Sequence, residues 1–414
     1  MPSKTPAQKL KLGNKTTILV EENHATPIVS FCAYFKGGLR YENEAQNGIT
    51  NFTQKVLMKG TERFSGEEYA FHSEAIGSVT FPFTERDAFG VYSSVLSKHQ
   101  DEGLDLFFDA IFHPTFPTEE VEKERHVILA EIEESRDEIY SHCLELCDRN
   151  LFKNHPYRFP VKGHTESVKS LQRDDLVDWH EKWYQPSNLI FSAVGDFSAE
   201  KMIEKAIHYL EKYPKINLRK HESPLEEGKG KREASVEREK RQLAIALGFL
   251  APPATDDNRF AFEVLNGLLS GMGARLFIEL RDKKGLAYSV GSRYDPVLDY
   301  GIMKTYMGTA AEQEHAAKQG LLEELLRLRD SEPGAEELER TKRHLIGLYE
   351  IGRQKNYTQA MRYARYEMLG LGWRVANLYP KKIESVEAAT IQKLAKQYID
   401  PNNFSCAVVR PAKN

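Results

Sequence analysis

The stretch Gln46-Asn-Gly-Ile-Thr-Asn-Phe-Thr-Gln-Lys-Val-Leu-Met-Lys-Gly-Thr61 decides how this chain is read. It predicts a helix of about three turns, with Ile49, Phe52 and Val56 on one face at i, i+3 and i+7. Asn51, Gln54, Lys55 and Met58 fall together on the opposite face. Polar side chains aimed one way at that spacing are how a helix presents a catalytic constellation. Two neutral amides and one ammonium supply neither a nucleophile nor a general base, so by themselves they read as a solvated helix face.

The chain has 414 residues, enough for two domains of about 200 residues each. Hydrophobic residues make up 41% and charged residues 29%, the balance of a soluble globular protein. A net charge of −4 points neither to nucleic acid nor to an acidic membrane surface. No apolar run reaches the ~20 residues needed to span a bilayer. The start, Met1-Pro-Ser-Lys-Thr-Pro-Ala-Gln-Lys-Leu10, lacks an apolar signal region and is poor in arginine. A cytoplasmic location is therefore expected. Four cysteines, Cys32, Cys143, Cys147 and Cys406, suggest no disulfide framework. Cys143 and Cys147 lie one helical turn apart beside His142. Two ligands of a metal set are missing there, and buried thiols are the simpler reading.

Working outward, residues 9–20 read as a strand and residues 28–35 as a central strand that is apolar on both faces. A short helix is expected over 66–76, then a strand pair at 78–84 and 88–96. Pro82 confines the first of that pair to an edge or a bulge, because proline has no N–H for a ladder. One long helix is expected from Pro117 to about residue 151, with Thr118 as N-cap and Glu119 and Glu120 in the first turn. A helix at 172–184, a strand at 189–194 and a helix at 198–212 follow. Residues 219–232 are charged, punctuated by Gly and Pro, and read as a linker.

The second half repeats the first: a strand at 242–250, a helix at 257–269, strands at 286–294 and 300–308, and helices at 311–329 and 335–370. Trp183-Tyr-Gln-Pro186-Ser-Asn188 followed by an apolar strand is echoed by Tyr398-Ile-Asp-Pro401-Asn-Asn403 followed by another. The expected fold is α+β: two homologous α/β domains, each an antiparallel-rich sheet flanked by helices. The boundaries are 1–215 for the first domain, 216–241 for the linker and 242–414 for the second domain.

The run Gly37-Gly-Leu-Arg-Tyr-Glu42, continuing into the opening stretch, resembles the pitrilysin/insulinase family of zinc peptidases. Those proteins carry His-x-x-Glu-His on this helix. The likeness extends to Glu124-Arg-His-Val-Ile-Leu-Ala-Glu131 and to Ser270-Gly-Met-Gly-Ala-Arg-Leu-Phe-Ile-Glu-Leu-Arg-Asp-Lys-Lys-Gly-Leu-Ala-Tyr288. It spans the whole chain, and its length is similar to the short bacterial and mitochondrial-processing-type branch, in which two chains close like a clamshell. Where that family has His, Glu and His, this chain has Asn51, Gln54 and Lys55. Only the third ligand position, Glu131, is kept. An amide oxygen is a poor zinc ligand, an ammonium repels a cation, and Gln54 accepts no proton from a zinc-bound water. The resemblance thus implies a decayed site, with no zinc on this chain, and an ion pair between Lys55 and Glu131.

The resemblance implies the opposite for Arg281 and Tyr288, which match an Arg and a Tyr that bind substrate and the developing oxyanion in active relatives. A guanidinium and a phenol suit that task. The plain alternative is an Arg at a helix end capped by Gly285, and a Tyr on a strand. Gly271-x-Gly273 lacks the third glycine of a dinucleotide loop. In active relatives the strand matching 78–84 pairs with peptide by β-addition, and Pro82 makes this copy a poorer edge.

These features imply the non-catalytic subunit of a heterodimeric zinc endopeptidase. The partner is expected to be a homologous chain bearing His-x-x-Glu-His and the zinc, and the substrate a peptide or unfolded polypeptide, with no nucleic acid and no membrane insertion. The first rival is a pseudo-peptidase that only binds peptide or scaffolds an assembly. The second is a homodimeric hydrolase with a metal near His142 and Cys143.

Overall fold

The computed structural model describes residues 7–218, 224, 226, 230–239 and 242–412. Strands β1 (Gln8–Lys11), β2 (Thr17–Glu22) and β3 (Ile28–Lys36) lead into helices α1 (Ile49–Val56) and α2 (Gly66–Ala75). Strands β4 (Val79–Thr84) and β5 (Ala88–Leu96) precede α3 (Gln100–Phe112), α4 (Thr118–Asp137), α5 (Ile139–Leu151), α6 (Thr165–Ser170) and α7 (Arg173–Trp183). Strand β6 (Leu189–Gly195) and α8 (Ala199–Leu210) complete the first half. The second half opens with β7 (Arg232–Arg238), β8 (Leu243–Ala251) and α9 (Arg259–Leu269). A π-helical segment, Leu276–Lys283, is followed by β9 (Ser289–Pro296) and β10 (Gly301–Thr309). Helices α10 (Glu314–Asp330), α11 (Ala335–Gly352), α12 (Asn356–Met368), α13 (Val375–Glu384) and α14 (Ala388–Tyr398) precede the last strand, β11 (Ser405–Pro411).

Two sheets carry the repeat. Their orders are β1-β2-β6-β3-β5-β4 and β7-β11-β8-β10-β9. In the first, β6 runs parallel to β2 and antiparallel to β3. In the second, β11 runs parallel to β7 and antiparallel to β8. Apart from β1 the two topologies are the same, so the fold is the expected pair of homologous α/β halves. The matched aromatic-x-x-Pro-x-Asn turns introduce β6, which slots between β2 and β3, and β11, which slots between β7 and β8. Pro82 lies on β4, at the sheet edge, where a missing N–H is tolerated.

The chain falls into two compact units that are not contiguous. The first comprises Met1–Ile132, Pro160–Glu222 and Ile351–Ala376; the second comprises Glu133–Phe159, Ser223–Glu350 and Asn377–Asn414. In the first unit, Val29, Phe31, Ala33 and Phe35 of β3 bury one sheet face against α1, α3 and α7. The other face is covered by α12, which packs on β3 and β6. Asn356 donates to Ile28 O at 2.9 Å, and Tyr363 donates to Glu21, fixing that helix on the sheet. In the second unit α5 packs on β8, β11 and β7. Each half thus sends one helix to the other half's sheet.

This exchange amends the contiguous division at 1–215 and 242–414. The long helix expected over 118–151 is two helices, broken at Glu138, whose carboxylate accepts from Tyr140 N and Ser141 N at 3.2 and 2.6 Å and caps α5. The helix expected over 335–370 is also two helices, α11 ending at Gly352 and α12 starting at Asn356 with no side-chain cap from Lys355. Residues 9–20 form a hairpin, β1 with β2, because Lys15 takes φ 80° in the turn between them. Helix α3 went unassigned. The expected linker contains β7, paired in parallel with β11; most of its residues 219–229 lie outside the described residues.

Candidate functional site

Helix α1 is set by its N-terminus. Glu42 is buried, and one of its carboxylate oxygens accepts from Gly48 N at 2.8 Å and Asn47 Nδ2 at 3.0 Å. The other accepts from Thr50 N at 3.2 Å, so a carboxylate sits at the positive end of the helix. Burial raises the Glu42 carboxyl above its ordinary range, and these hydrogen bonds oppose that shift. Gly48 has φ 92°, and a Cβ there would come within 2.6 Å of Gly163 Cα. Glycine is therefore required for both the turn and the close approach.

The helix then presents Asn51, Gln54 and Lys55 in three different environments. Gln54 is 2% exposed, so the solvated-face reading is wrong for it. With its amide oriented to satisfy its surroundings, it donates to Gly90 O and accepts from Gly90 N, both at 3.2 Å, and accepts from Tyr184 OH at 3.1 Å. It is an internal tie between α1 and strand β5. Asn51 is half-buried, and its Nδ2 has no hydrogen-bond partner among the described residues. Lys55 Nζ lies 2.5 Å from Glu131 Oε1 of α4, and Lys162 Nζ donates to the Glu131 carbonyl at 3.3 Å. One turn along, Lys59 pairs with Glu124 at 2.7 Å. Two Lys–Glu pairs thus close the seam between the α1 region and α4.

These four side chains do not fit a zinc ion. The retained carboxylate, Glu131, already binds an ammonium, and Gln54 spends its amide on the sheet. Asn51 would be the lone neutral donor. Among the described residues no group of three His, Cys, Asp or Glu side chains is placed to hold a metal. Cys143 donates to the carbonyls of Ala244 and Ala407 at 3.4 Å each, and Cys147 lies against Ser405 at 3.7 Å. Burial raises both thiols, with Cys147 pushed up to about 12, and both pack in a core cluster with Ala244, Ala246, Ala407 and Val409.

Arg281 and Tyr288 stand on either side of one turn in the second unit. Leu276 and Leu280 bury the inner face of the π-helical segment, and Arg281 follows on its exposed side. Gly285, with φ 62°, donates to Arg281 O at 3.1 Å, and Leu286 N reaches back to Leu280 O at 2.8 Å. The glycine cap expected from the sequence is present, in a wider helix than expected. The Arg281 guanidinium lies over the Phe277 ring at 4.6 Å. Tyr288, 61% exposed, precedes the edge strand β9 and is held by its N–H to Gly308 O at 2.9 Å. Neither side chain makes a polar side-chain contact among the described residues, so both ends are available to a ligand.

The sequence reading missed Glu42 as the anchor of α1, although it lies within the quoted motif. Its signal was an acid six residues ahead of a glycine that opens a helix. It also missed Lys59 and Glu124, whose pairing repeats that of Lys55 and Glu131.

Duplicated α/β halves, a polar triad on the first helix and an Arg/Tyr pair in the second half define a two-domain peptidase-like chain. The profile described as insulinase (peptidase family M16) matches residues 17–164, and that of the peptidase M16 inactive domain matches residues 170–345. The chain belongs to the insulinase, or M16, peptidase family. It is similar to the uncharacterized zinc protease YmxG of Bacillus subtilis (strain 168), with 28% identity over 97% of this chain and 97% of that protein. An uncharacterized zinc protease of Rickettsia bellii (strain RML369-C) is 27% identical over 95% of this chain and 98% of its own length. Two solved structures share the fold. A protease from Helicobacter pylori has TM-score 0.92 at 20% identity, covering 98% of this chain and all, 100%, of that one. The peptidase M16 inactive domain from Pseudomonas fluorescens has TM-score 0.91 at 20% identity, covering 99% and 98%.

Proposed function

We propose that this chain is the zinc-less subunit of a heterodimeric zinc endopeptidase. Its partner is a homologous chain bearing His-x-x-Glu-His and the metal. This chain binds no zinc of its own and contributes Arg281 and Tyr288 to substrate and transition-state binding in the partner's site. The substrate is a peptide or an unfolded segment. No described helix is long and apolar enough to cross a membrane, and we place the complex in the cytoplasm.

The observation that carries this reading is the Lys55–Glu131 pair. It removes the one retained ligand from service, while Arg281 and Tyr288 keep exposed, uncommitted polar ends. A guanidinium and a phenol aimed at a carbonyl oxygen stabilise negative charge that grows in the transition state. In the mixed complex, Arg281→Ala is expected to lower kcat/KM for a model peptide by ~10²–10³, the scale for one oxyanion donor. Unchanged hydrolysis would leave this chain a scaffold only.

A further inference from the structure

A cavity of about 240 Å³ lies in the first unit, between the turn after α1, the C-terminal half of α3 and the end of α8. It takes no part in the subunit role proposed above. Asp109 lines it and is 4% exposed. Its Oδ2 has no hydrogen-bond partner among the described residues, and its Oδ1 stands 3.6 Å from His113 Nδ1. A buried carboxylate oxygen without a donor is costly unless a ligand supplies one.

The surroundings favour a positive charge from two further directions. Helices α3 and α8 both end at this cavity, at Phe112 and Leu210, so both present the negative end of the helix dipole. Tyr209 packs on Phe108 with ring centroids 4.9 Å apart, and Tyr213 packs on Phe112 at 5.1 Å. Aromatic rings and phenol oxygens therefore line the wall, and both attract cations.

Two cations of the chain also line the cavity, and both are engaged with partners other than Asp109. Arg63 pairs with Asp105 at 2.6 Å, whose other oxygen accepts from Tyr209 OH at 3.1 Å. Lys212 Nζ lies over the Tyr213 ring at 5.4 Å. Neither forms an ion pair with Asp109 among the described residues. A bare metal ion is a poor occupant, since no described trio of His, Cys, Asp or Glu is grouped to hold one. What fits is a dispersed organic cation that carries its own N–H donors and a short apolar stem.

We propose that this cavity binds an alkyl guanidinium or primary ammonium group, which donates to Asp109 Oδ2 and rests against Tyr209 and Tyr213. The group can come from a free amine or from a basic side chain of a polypeptide, and the chemistry at the cavity is the same. The test is calorimetric titration of the full chain with agmatine, with N-butylurea as the uncharged control and an arginine-containing peptide as a separate arm. Agmatine or the peptide is expected to bind saturably at one site, and N-butylurea not at all. Whichever of the two binds more tightly identifies the source. Asp109→Asn is expected to weaken binding by about tenfold or more, the scale of a charge-assisted hydrogen bond. Tyr213→Leu, at the wall, is expected to weaken it several-fold and serves if the Asp109 variant does not fold. Absence of saturable binding by both cations overturns the proposal, as does equal affinity in wild type and either variant. Lys212→Met is expected to bind at least as well as wild type; binding only in that variant would mean that Lys212 fills the cavity, and would also overturn it.

Discussion

Lys55 and Glu131 hold a charge balance that a metal would otherwise provide, and they hold it partly in solvent. Their side chains are 26% and 30% exposed, so the pair is screened and contributes far less than a fully buried one. Lys55→Met and Glu131→Gln are each expected to cost about 1 kcal/mol in urea unfolding, with a coupling of about 0.5–1 kcal/mol in the double variant. Strictly additive losses would mean that the two residues do not act as a pair. The pairing was legible from the motif because both residues fall at ligand positions. The fate of Gln54 was not. A helical wheel shows which way a side chain leaves its own helix, but Gly90 and Tyr184, its partners, come from a strand and a loop far along the chain.

At the scale of elements, the packing of α7 against the end of α3 carries a pH dependence. His180 Nε2 donates to Ile111 O at 2.8 Å, and burial lowers the imidazole to about 4 from its ordinary 6.5. Between those values the unfolded chain holds more protons than the folded one. The stabilising contribution is present above pH 6.5 and is lost as pH falls toward 4. The loss from this group is at most ~1.4 kcal/mol per pH unit. Urea midpoints measured across this range should flatten in His180→Gln; an unchanged slope would place the dependence elsewhere. Most strands and helices were legible from periodicity. The break at Glu138 was not, because a carboxylate cap needs neither Pro nor Gly and leaves the apolar repeat unbroken. The second break falls where α11 ends at Gly352, and Lys355 precedes α12 without a side-chain cap.

For the whole molecule, the repeat was legible because the Pro-x-Asn turns recur before matched strands. The helix exchange was not, since an apolar stripe on α12 or α5 does not say which sheet it covers. Residues 1–241 expressed alone are expected to be poorly folded and to bind a hydrophobic dye, because the β3–β6 face loses α12. Co-expression with 242–414 should restore a compact complex; a folded, dye-silent fragment would contradict the exchange. The subunit role itself is tested most directly by zinc content and peptide hydrolysis, measured on this chain alone and after mixing with a homologous chain that carries His-x-x-Glu-His. The account expects no bound zinc and no hydrolysis from the lone chain, and hydrolysis in the mixture beyond that of the partner alone. Stoichiometric zinc with hydrolysis by the lone chain would contradict it.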